Sequence, residues 1–386
     1  MPGERQVLSL LRRGCPSAVL SSPVHGFLIL LLFLASTVAQ TSSPPFLNLR
    51  SPLSSYRGTA PDRGTNASPK VIWFGPTNEL FWSASCAFSN AGSSVSLVAC
   101  WTADPWKSGA ALLTRMVIQH KPLAILGSVD SASTHLAEQV AAKTQTPLVS
   151  PIATDPSLTL AGVPWMFSCA PSDVAIAKAI VGHLDAARHP AAMFSGTDHE
   201  SRMTAREILK EFSRRGQVPS FKFEFEPGAS RVSTQLRAVQ EASPRSIILV
   251  ASAEDSARLL PQLRRVAPVI AGPTVARRAC LILAGSAVDG VEYPELTSPP
   301  PDHPFATGFK LNHGYAPDYT AWLTYDAASL LAAALKSCNY SASGLHLALA
   351  SLSPYFGTAG EIRFDATGQN TRQDLRIRVM SNTTRR

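Results

Sequence analysis

The chain has 386 residues, enough for two or three domains of ordinary size. Hydrophobic residues make up 45% of it and charged residues 16%, a balance that excludes an intrinsically disordered chain. The formal net charge is +8, but the basic residues are spread along the sequence rather than clustered with aromatic residues, which argues against a nucleic-acid partner.

The first forty residues have the three-part pattern of a secretory signal. Basic residues open the sequence, an unbroken apolar run follows at 27–35, and small residues precede Gln40. The apolar run is shorter than the about 20 residues that a membrane-spanning helix needs. We therefore expect residues 1–39 to be a signal peptide and the protein to be periplasmic or extracellular, with an uncleaved N-terminal membrane anchor as the alternative. Residues 40–69, rich in Ser, Pro and Thr, are predicted to form a flexible spacer.

Export implies an oxidising compartment, in which disulfides can form. The cysteines that follow the predicted signal are Cys86, Cys100, Cys169, Cys280 and Cys338. Either Cys86 and Cys100 pair in a disulfide, or Cys100 is a buried thiol in an apolar strand, and the sequence leaves both interpretations open. Because no CxxC or other metal-ligand spacing occurs, we expect neither a metal site nor a cofactor.

From Lys70 onward, short apolar runs alternate with amphipathic segments. Strands are predicted at 71–75, 95–101, 123–127, 147–150, 165–169, 191–195, 221–226, 246–252, 268–271, 360–365 and 375–380. Helices are predicted at 110–118, 133–143, 174–187, 204–215, 231–241, 254–266, 306–313 and 319–337. Most of these strands are continuous apolar runs, which are typical of parallel strands covered by helices on both faces. The pattern predicts an α/β fold with doubly wound parallel sheets.

The number of strands favours two sheets rather than one. About five strands precede Ser172 and four further units precede Tyr293, after which a proline-rich connection leads to more helices and two late strands. We predict two Rossmann-like lobes joined by a hinge: lobe 1 from 70–170 plus 296–352, and lobe 2 from 171–295 plus 353–386. Open α/β sheets bind ligands beyond the carboxyl ends of their strands, so we expect the ligand in the cleft between the lobes.

The most informative stretch is 123–158, in which two strands each end in a polar turn. The first turn, rich in Ser and Asp, leads into a helix, and the second lies at 152–154. Hydroxyls and free backbone N–H groups at a helix N-terminus are suited to holding an anion such as a carboxylate. Ordinary helix capping, by Ser131 or Ser133 in one turn and by Asp155 in the other, explains the same residues, and from the turns alone it is the favoured interpretation.

This stretch resembles the ligand-cradling segment of the type I periplasmic binding proteins, especially the leucine/isoleucine/valine-binding family of branched-chain amino-acid transport. Matching residues follow the family's order from about Val71 to Met380. They are Gly75-Pro76, Asp104-Pro105, Gly127 with Ser131-Ala132-Ser133-Thr134, Ser150-Pro151-Ile152-Ala153-Thr154-Asp155-Pro156-Ser157-Leu158, the helical run 322–328, and the run 357–368. The resemblance implies the type I periplasmic-binding-protein fold and a binding protein rather than an enzyme.

The resemblance also implies ligand-binding residues in the first lobe. Ser131 and Thr154 stand where family members bind the ligand carboxylate through hydroxyls and nearby N–H groups. Ile152, with Ala153 beside it, stands where a backbone group contributes.

The residues expected around the rest of the ligand depart in part from the family's pattern. Trp82, or its neighbour Phe81, either lines the side-chain pocket or belongs to the core of a short helix. In the second lobe, family members that bind amino acids place tyrosines and an acid around the ammonium group, and the matching positions here are Glu200, Ala253 and Thr274, with Thr274 in place of the acid. Glu200 either supplies a compensating negative charge or is a surface residue that opens a helix.

These features predict an extracytoplasmic, monomeric solute-binding protein that is not an enzyme. It would capture a small carboxylate-bearing ligand, such as an amino acid or amide, by hinge closure and deliver it to a membrane ABC permease. One alternative is a sensory or regulatory ligand-binding module with diverged specificity. The other is a secreted hydrolase that uses the Asp-His-Glu run at 198–200, which is not favoured because consecutive side chains point in different directions and no nucleophile stands nearby in the sequence.

Overall fold

The computed structural model describes residues 68–185, 187–228 and 232–381. The predicted signal peptide and the predicted spacer up to residue 67 lie outside the described residues. Within the described part of the chain, no helix has both the length and the apolar character needed to cross a bilayer.

The described strands and helices alternate along most of the chain. The strands are β1 (Lys70–Phe74), β2 (Ser96–Cys100), β3 (Ala124–Gly127), β4 (Leu148–Ser150), β5 (Met166–Ser168), β6 (Ala191–Gly196), β7 (Phe221–Phe225), β8 (Ser246–Val250), β9 (Val269–Ala271), β10 (Glu292–Glu295), β11 (Tyr355–Phe356), β12 (Glu361–Ile362) and β13 (Arg376–Val379). The helices are α1 (Glu79–Asn90), α2 (Ala110–His120), α3 (Ser131–Thr144), α4 (Asp173–His183), α5 (His199–Arg214), α6 (Ser233–Glu241), α7 (Ala253–Leu263), α8 (Arg278–Ala284), α9 (Pro304–His313), α10 (Tyr319–Ser337) and α11 (Leu345–Ser351).

Lobe 1 is built on a five-stranded parallel sheet in the order β2-β1-β3-β4-β5. Strand β1 shows why these runs are buried on both sides. Val71 and Trp73 pack into a core with α1 and α10 on one face of the sheet, whereas Ile72 and Phe74 pack with α2 and α3 on the other. None of these four apolar side chains therefore faces water.

Lobe 2 repeats the arrangement in a six-stranded sheet in the order β13-β10-β9-β8-β6-β7. The strands are parallel except β13, which pairs antiparallel with β10. Helices α4 and α5 cover one face, and α6, α7 and α8 cover the other. The edge strand β7 alternates aromatic and charged residues, the pattern of a strand that is half covered. The predicted two-lobed α/β fold is confirmed.

The last part of the chain departs from the predicted lobe boundary at residue 353. The hairpin β11–β12 packs into the lobe 1 core through Ala359 and Ile362, with Phe364 against it. The chain then runs beside β5, where the N–H of Ser168 donates to the carbonyl of Gly368 at 2.9 Å. The return to lobe 2 thus comes after the hairpin, because the apolar residues of the hairpin complete the lobe 1 core.

The described cysteines are free thiols, so the disulfide considered for Cys86 and Cys100 is not formed in this structure. Cys100 is buried at the end of β2, where burial raises the pKa of its thiol to about 11. Its environment matches the alternative interpretation, an inert thiol in an apolar strand.

Candidate functional site

The candidate site is a cavity of about 130 Å³ between the two lobes. Lobe 1 lines it with residues that follow β3 and β4, and lobe 2 with residues that follow β6, β8 and β9. The strand order reverses between β6 and β8 in lobe 2 and between β1 and β3 in lobe 1. The cavity therefore lies at the carboxyl ends of the strands and, in lobe 2, at the point of reversal, where open α/β sheets bind ligands. An apolar cavity of about 150 Å³ holds benzene, so a ligand of about that size fits here.

The N-terminus of α3 forms the lobe 1 wall of the site. Asp130 caps this helix, because its Oδ1 accepts a hydrogen bond from the N–H of Ser133 at 2.6 Å. The N–H groups of Ser131 and Ala132 and the Ser131 hydroxyl are left to bind a group outside the helix. Free N–H groups at the positive end of a helix form an anion site, and we call these three donors the cradle.

The carboxylate of Glu200, from the first turn of α5 in lobe 2, occupies the cradle. The N–H and the hydroxyl of Ser131 donate to its two oxygens at 2.8 Å each, and the N–H of Ala132 donates at 3.2 Å. Burial raises the pKa of Glu200, although the hydrogen bonds from Ser131 oppose that effect. The cradle therefore accommodates a carboxylate, and the one that it holds belongs to the protein.

Two buried polar atoms of lobe 2 residues that line the cavity have no hydrogen-bond partner among the described residues. They are Nε of Arg277, a donor, and Oδ2 of Asp198, an acceptor. The neighbouring Tyr319 raises the pKa of Arg277, and Asp318 adds to this against the effect of burial. A small ligand that carries both a donor and an acceptor can satisfy these two atoms.

The structure brings most of the predicted site residues together. Ile152, Thr154, Glu200 and Thr274 line the cavity, and Ser131 is buried beside it in contact with Glu200. The hydroxyl of Thr274 donates to the carbonyl of Ala251 at 2.6 Å and so belongs to the wall formed after β8 and β9.

Two predicted residues lie away from the cavity. Ala153 is buried in the core beneath α3, and its carbonyl accepts a hydrogen bond from the Ser168 hydroxyl at 3.2 Å. Trp82 lies on α1 and packs against Phe305 and Phe309 of α9, with ring centroids 5.9 and 5.7 Å apart. This position agrees with the alternative that Trp82 belongs to the core of a short helix rather than to the ligand pocket.

The consecutive residues 198–200 point in three directions. Asp198 caps α5 by accepting from the N–H of Ser201 at 3.0 Å, while Nε2 of His199 lies 3.2 Å from Oδ2 of Asp155 and Glu200 enters the cradle. The run therefore forms no single constellation for catalysis.

Sequence reasoning missed Arg277 and Tyr319 as site residues. Arg277 comes just after the single turn Pro273–Ala276 that follows β9, so the strand-end counting that reached Thr274 would have reached it with one more turn. Tyr319 opens α10, and no pattern near it points to lobe 2.

A larger cavity of about 360 Å³ shares Leu296 and Tyr319 with the candidate site. It is lined by residues of α8, of β10 and of the loop before α10, and not by the carboxyl ends of β3, β4, β6 or β8. Because it does not include the cradle, we take the smaller cavity as the candidate site.

The chain matches a known protein family over most of its length. Residues 86–384 match a family described as periplasmic binding protein. Among curated proteins, none matches the sequence significantly.

Solved structures share the fold. A leucine-binding protein, LivK, from Thermotoga maritima is 20% identical, with a TM-score of 0.71 over 81% of this chain and 96% of that one. The substrate-binding protein LivJ of a branched-chain amino-acid transporter from Streptococcus pneumoniae, in complex with isoleucine, is 18% identical, with a TM-score of 0.69 over 79% and 94%. A solute-binding protein of an ABC transporter from R. palustris, in complex with benzoate, is 17% identical, with a TM-score of 0.69 over 82% and 94%.

Proposed function

Because the chain belongs to the periplasmic binding protein family, we propose that it is an extracytoplasmic solute-binding protein that captures a small carboxylate-bearing ligand by hinge closure and delivers it to an ABC permease. The observation that supports this function is the Glu200 carboxylate in the cradle, which occupies the position that the ligand carboxylate would take. The structures with bound isoleucine and benzoate show that this fold accepts small carboxylates in related proteins.

The polar atoms that line the cavity indicate which groups the ligand would carry besides its carboxylate. A carboxylate in the cradle must displace Glu200, which then becomes available to a positive or donor group of the ligand. Nε of Arg277 would donate to a further oxygen of the ligand, and Oδ2 of Asp198 would accept from an ammonium or amide group. An amino acid or an amide of a small acid has this combination, and the volume of about 130 Å³ favours the smaller members.

The ligand would bind to lobe 1 first, and lobe 2 would then close over it. The ligand docks against Ser131 and Thr154 with the lobes open, and α5 then closes over it. Ligand binding shifts the equilibrium toward the closed form by the contacts that only this form makes.

A thermal-shift screen of the purified protein against amino acids, amides, short carboxylates and aromatic acids tests the proposal. A ligand at 100 times its Kd stabilises the protein by about 2.7 kcal/mol, which corresponds to a shift of a few degrees. The double variant Ser131→Ala/Thr154→Ala should lose the shift, since it lacks both hydroxyls on the docking face.

Ser329→Ala is the matched control, because it removes a hydroxyl that bonds only within α10 of the same lobe, to the carbonyl of Tyr325 at 2.8 Å. It should keep the full shift. If no carboxylate stabilises the wild type, or if the double variant retains the shift, capture of carboxylates through the cradle is wrong and a module of diverged specificity becomes the better interpretation.

A further inference from the structure

Two imidazoles and a carboxylate meet beside the cradle, across the boundary between the lobes. Nε2 of His135 lies 3.3 Å from Oδ2 of Asp155, and Nε2 of His199 lies 3.2 Å from the same oxygen. One ligand atom from each of the three residues lies within 4.8 Å of the other two. We propose that His135, Asp155 and His199 bind a divalent transition metal ion such as Zn²⁺ that links lobe 1 to lobe 2.

The donor set and its spacing match this ion. Zinc takes imidazole nitrogen and carboxylate oxygen at about 2.0–2.2 Å in a tetrahedral arrangement, whose ligand atoms are then about 3.3 Å apart. The two Nε2–Oδ2 separations, 3.3 and 3.2 Å, agree with that edge, and the ligand atoms of the two histidines lie within 4.8 Å of each other. An ion pair of protonated imidazole with the carboxylate is the alternative, and it predicts no binding when the protein is titrated with Zn²⁺.

Further contacts hold two of the three ligands in place. Oδ1 of Asp155 accepts a hydrogen bond from the N–H of Ser157 at 2.8 Å, which leaves Oδ2 for the histidines. Nδ1 of His135 lies 3.3 Å from Oε2 of Glu138, one turn further along α3. A carboxylate on the far nitrogen of a ligand histidine fixes the ring and raises its basicity, as is usual around zinc.

The site is also accessible from solvent. The Asp155 side chain is 1% exposed, whereas those of His135 and His199 are 28% and 37% exposed. Three protein ligands with an open side toward water leave the fourth position for a water molecule, as in zinc sites that are not fully enclosed.

A metal ion bound at this site would also affect hinge closure. His199 precedes Glu200 in the first turn of α5, so an ion that bridges His199 to lobe 1 would hold this turn against α3. Zn²⁺ would therefore favour the closed arrangement of the lobes, independently of any carboxylate ligand.

Calorimetric titration of the purified full chain, without a polyhistidine tag and after treatment with a chelator, tests the site with Zn²⁺ alone. We expect one equivalent to bind to the wild type and binding to weaken at least tenfold in His199→Ala, which removes the only ligand from lobe 2. Glu138→Gln should weaken binding about 10–100-fold, as expected for a group that orients a metal-bound histidine.

His183→Ala is the matched control. His183 faces Glu292 at 3.2 Å, the same pairing of imidazole and carboxylate, but it does not belong to the three-residue cluster. Its zinc affinity should equal that of the wild type, and circular dichroism should show that every variant is folded.

Absence of zinc binding by the folded wild type would overturn the proposal. Binding that is equally tight in His199→Ala would overturn the link between lobes, since the ion would then need lobe 1 alone. Neither result depends on the carboxylate screen, so this site and the proposed ligand capture can fail separately.

Discussion

Asp173, the first residue of α4, has a buried carboxyl group next to the candidate site. The hydroxyl of Thr204 donates to it at 2.8 Å, and its own N–H donates to the carbonyl of Thr154 at 2.7 Å. Burial raises the pKa of Asp173 to about 7, although the hydrogen bonds from Thr204 and Thr154 oppose the effect. Asp173 therefore contacts a residue of the cavity wall, and its ionisation should make the stability of the protein depend on pH.

Asp173→Asn should stabilise the protein at pH 8 relative to the wild type, and less so at pH 4. The pKa of an unfolded aspartate is about 3.9, so between about pH 4 and 7 the native state holds a proton that the unfolded state has lost. Stability due to this group therefore falls as pH rises through that window. Each unit of pKa difference corresponds to about 1.4 kcal/mol.

Urea unfolding of both proteins at pH 4 and pH 8 measures the effect. Asp302→Asn, at an exposed position, is the control and should show no such change with pH. A stability difference between Asp173→Asn and the wild type that does not vary with pH would contradict the prediction.

At the scale of elements, the cradle depends on how β3 ends and α3 begins. Gly127, the last residue of β3, has φ +141°, and a Cβ atom there would collide with the carbonyl oxygen of Phe74 on β1. Asp130 then caps α3. These two residues set the direction in which the first turn of α3 presents its N–H groups.

Gly127→Ala should destabilise the protein by more than the about 1–3 kcal/mol that an unfavourable backbone conformation alone costs, because the added methyl group also collides with backbone that cannot move. Gly162→Ala separates the two effects, since Gly162 has φ +63° but no atom within 4 Å of the added Cβ. Urea unfolding should show the smaller loss in Gly162→Ala, and equal losses would refute the steric argument.

Asp130→Ala should lower the free energy of unfolding by about 1 kcal/mol, the usual value of a helix N-cap. Asp130→Asn removes the charge but keeps an oxygen that accepts from the N–H of Ser133. The difference in the free energy of unfolding between the two variants therefore measures the capping hydrogen bond without the charge. If both lose the same stability, the charge rather than the hydrogen bond matters at this position.

At the scale of the whole molecule, Glu200 joins the lobes. Its carboxylate, from lobe 2, accepts three hydrogen bonds from two backbone N–H groups and a hydroxyl of α3 in lobe 1. Hydrogen bonds to charged groups contribute about 1.5–3 kcal/mol each, and 1.4 kcal/mol changes an equilibrium tenfold. The balance between open and closed lobes should therefore respond to this one side chain.

Glu200→Ala should shift the protein without ligand toward the open form, seen as a larger radius of gyration in small-angle X-ray scattering. Glu207→Gln is the control, because Glu207 lies on the same helix and pairs with Lys210 within lobe 2 at 2.7 Å. A radius of gyration that is the same in Glu200→Ala and the wild type would show that the lobes close without this contact.

Much of the architecture follows from local pattern. Continuous apolar runs such as β1, β3 and β8 predict parallel strands buried on both faces, and α10 begins and ends at the predicted residues, Tyr319 and Ser337. Strand β10 was missed, because Glu292–Glu295 contains a proline and two acids and becomes a strand only by pairing with β9 and β13. Helix α1, Glu79–Asn90, was not among the predicted helices. A short helix at this place was considered only as one of the two interpretations of Trp82.

The sequence by itself determined the alternation of strands and helices, the polar turns after β3 and β4, and hence the edge of lobe 1 that faces the cleft, because periodicity and chain order are local properties. Only the tertiary structure decided which groups meet there. Glu200 lies 69 residues from Ser131, and His199 lies 44 residues from Asp155. Residues so far apart in sequence meet because two separately folded sheets present the carboxyl ends of their strands to the same cleft, and no local pattern records how the lobes pack together.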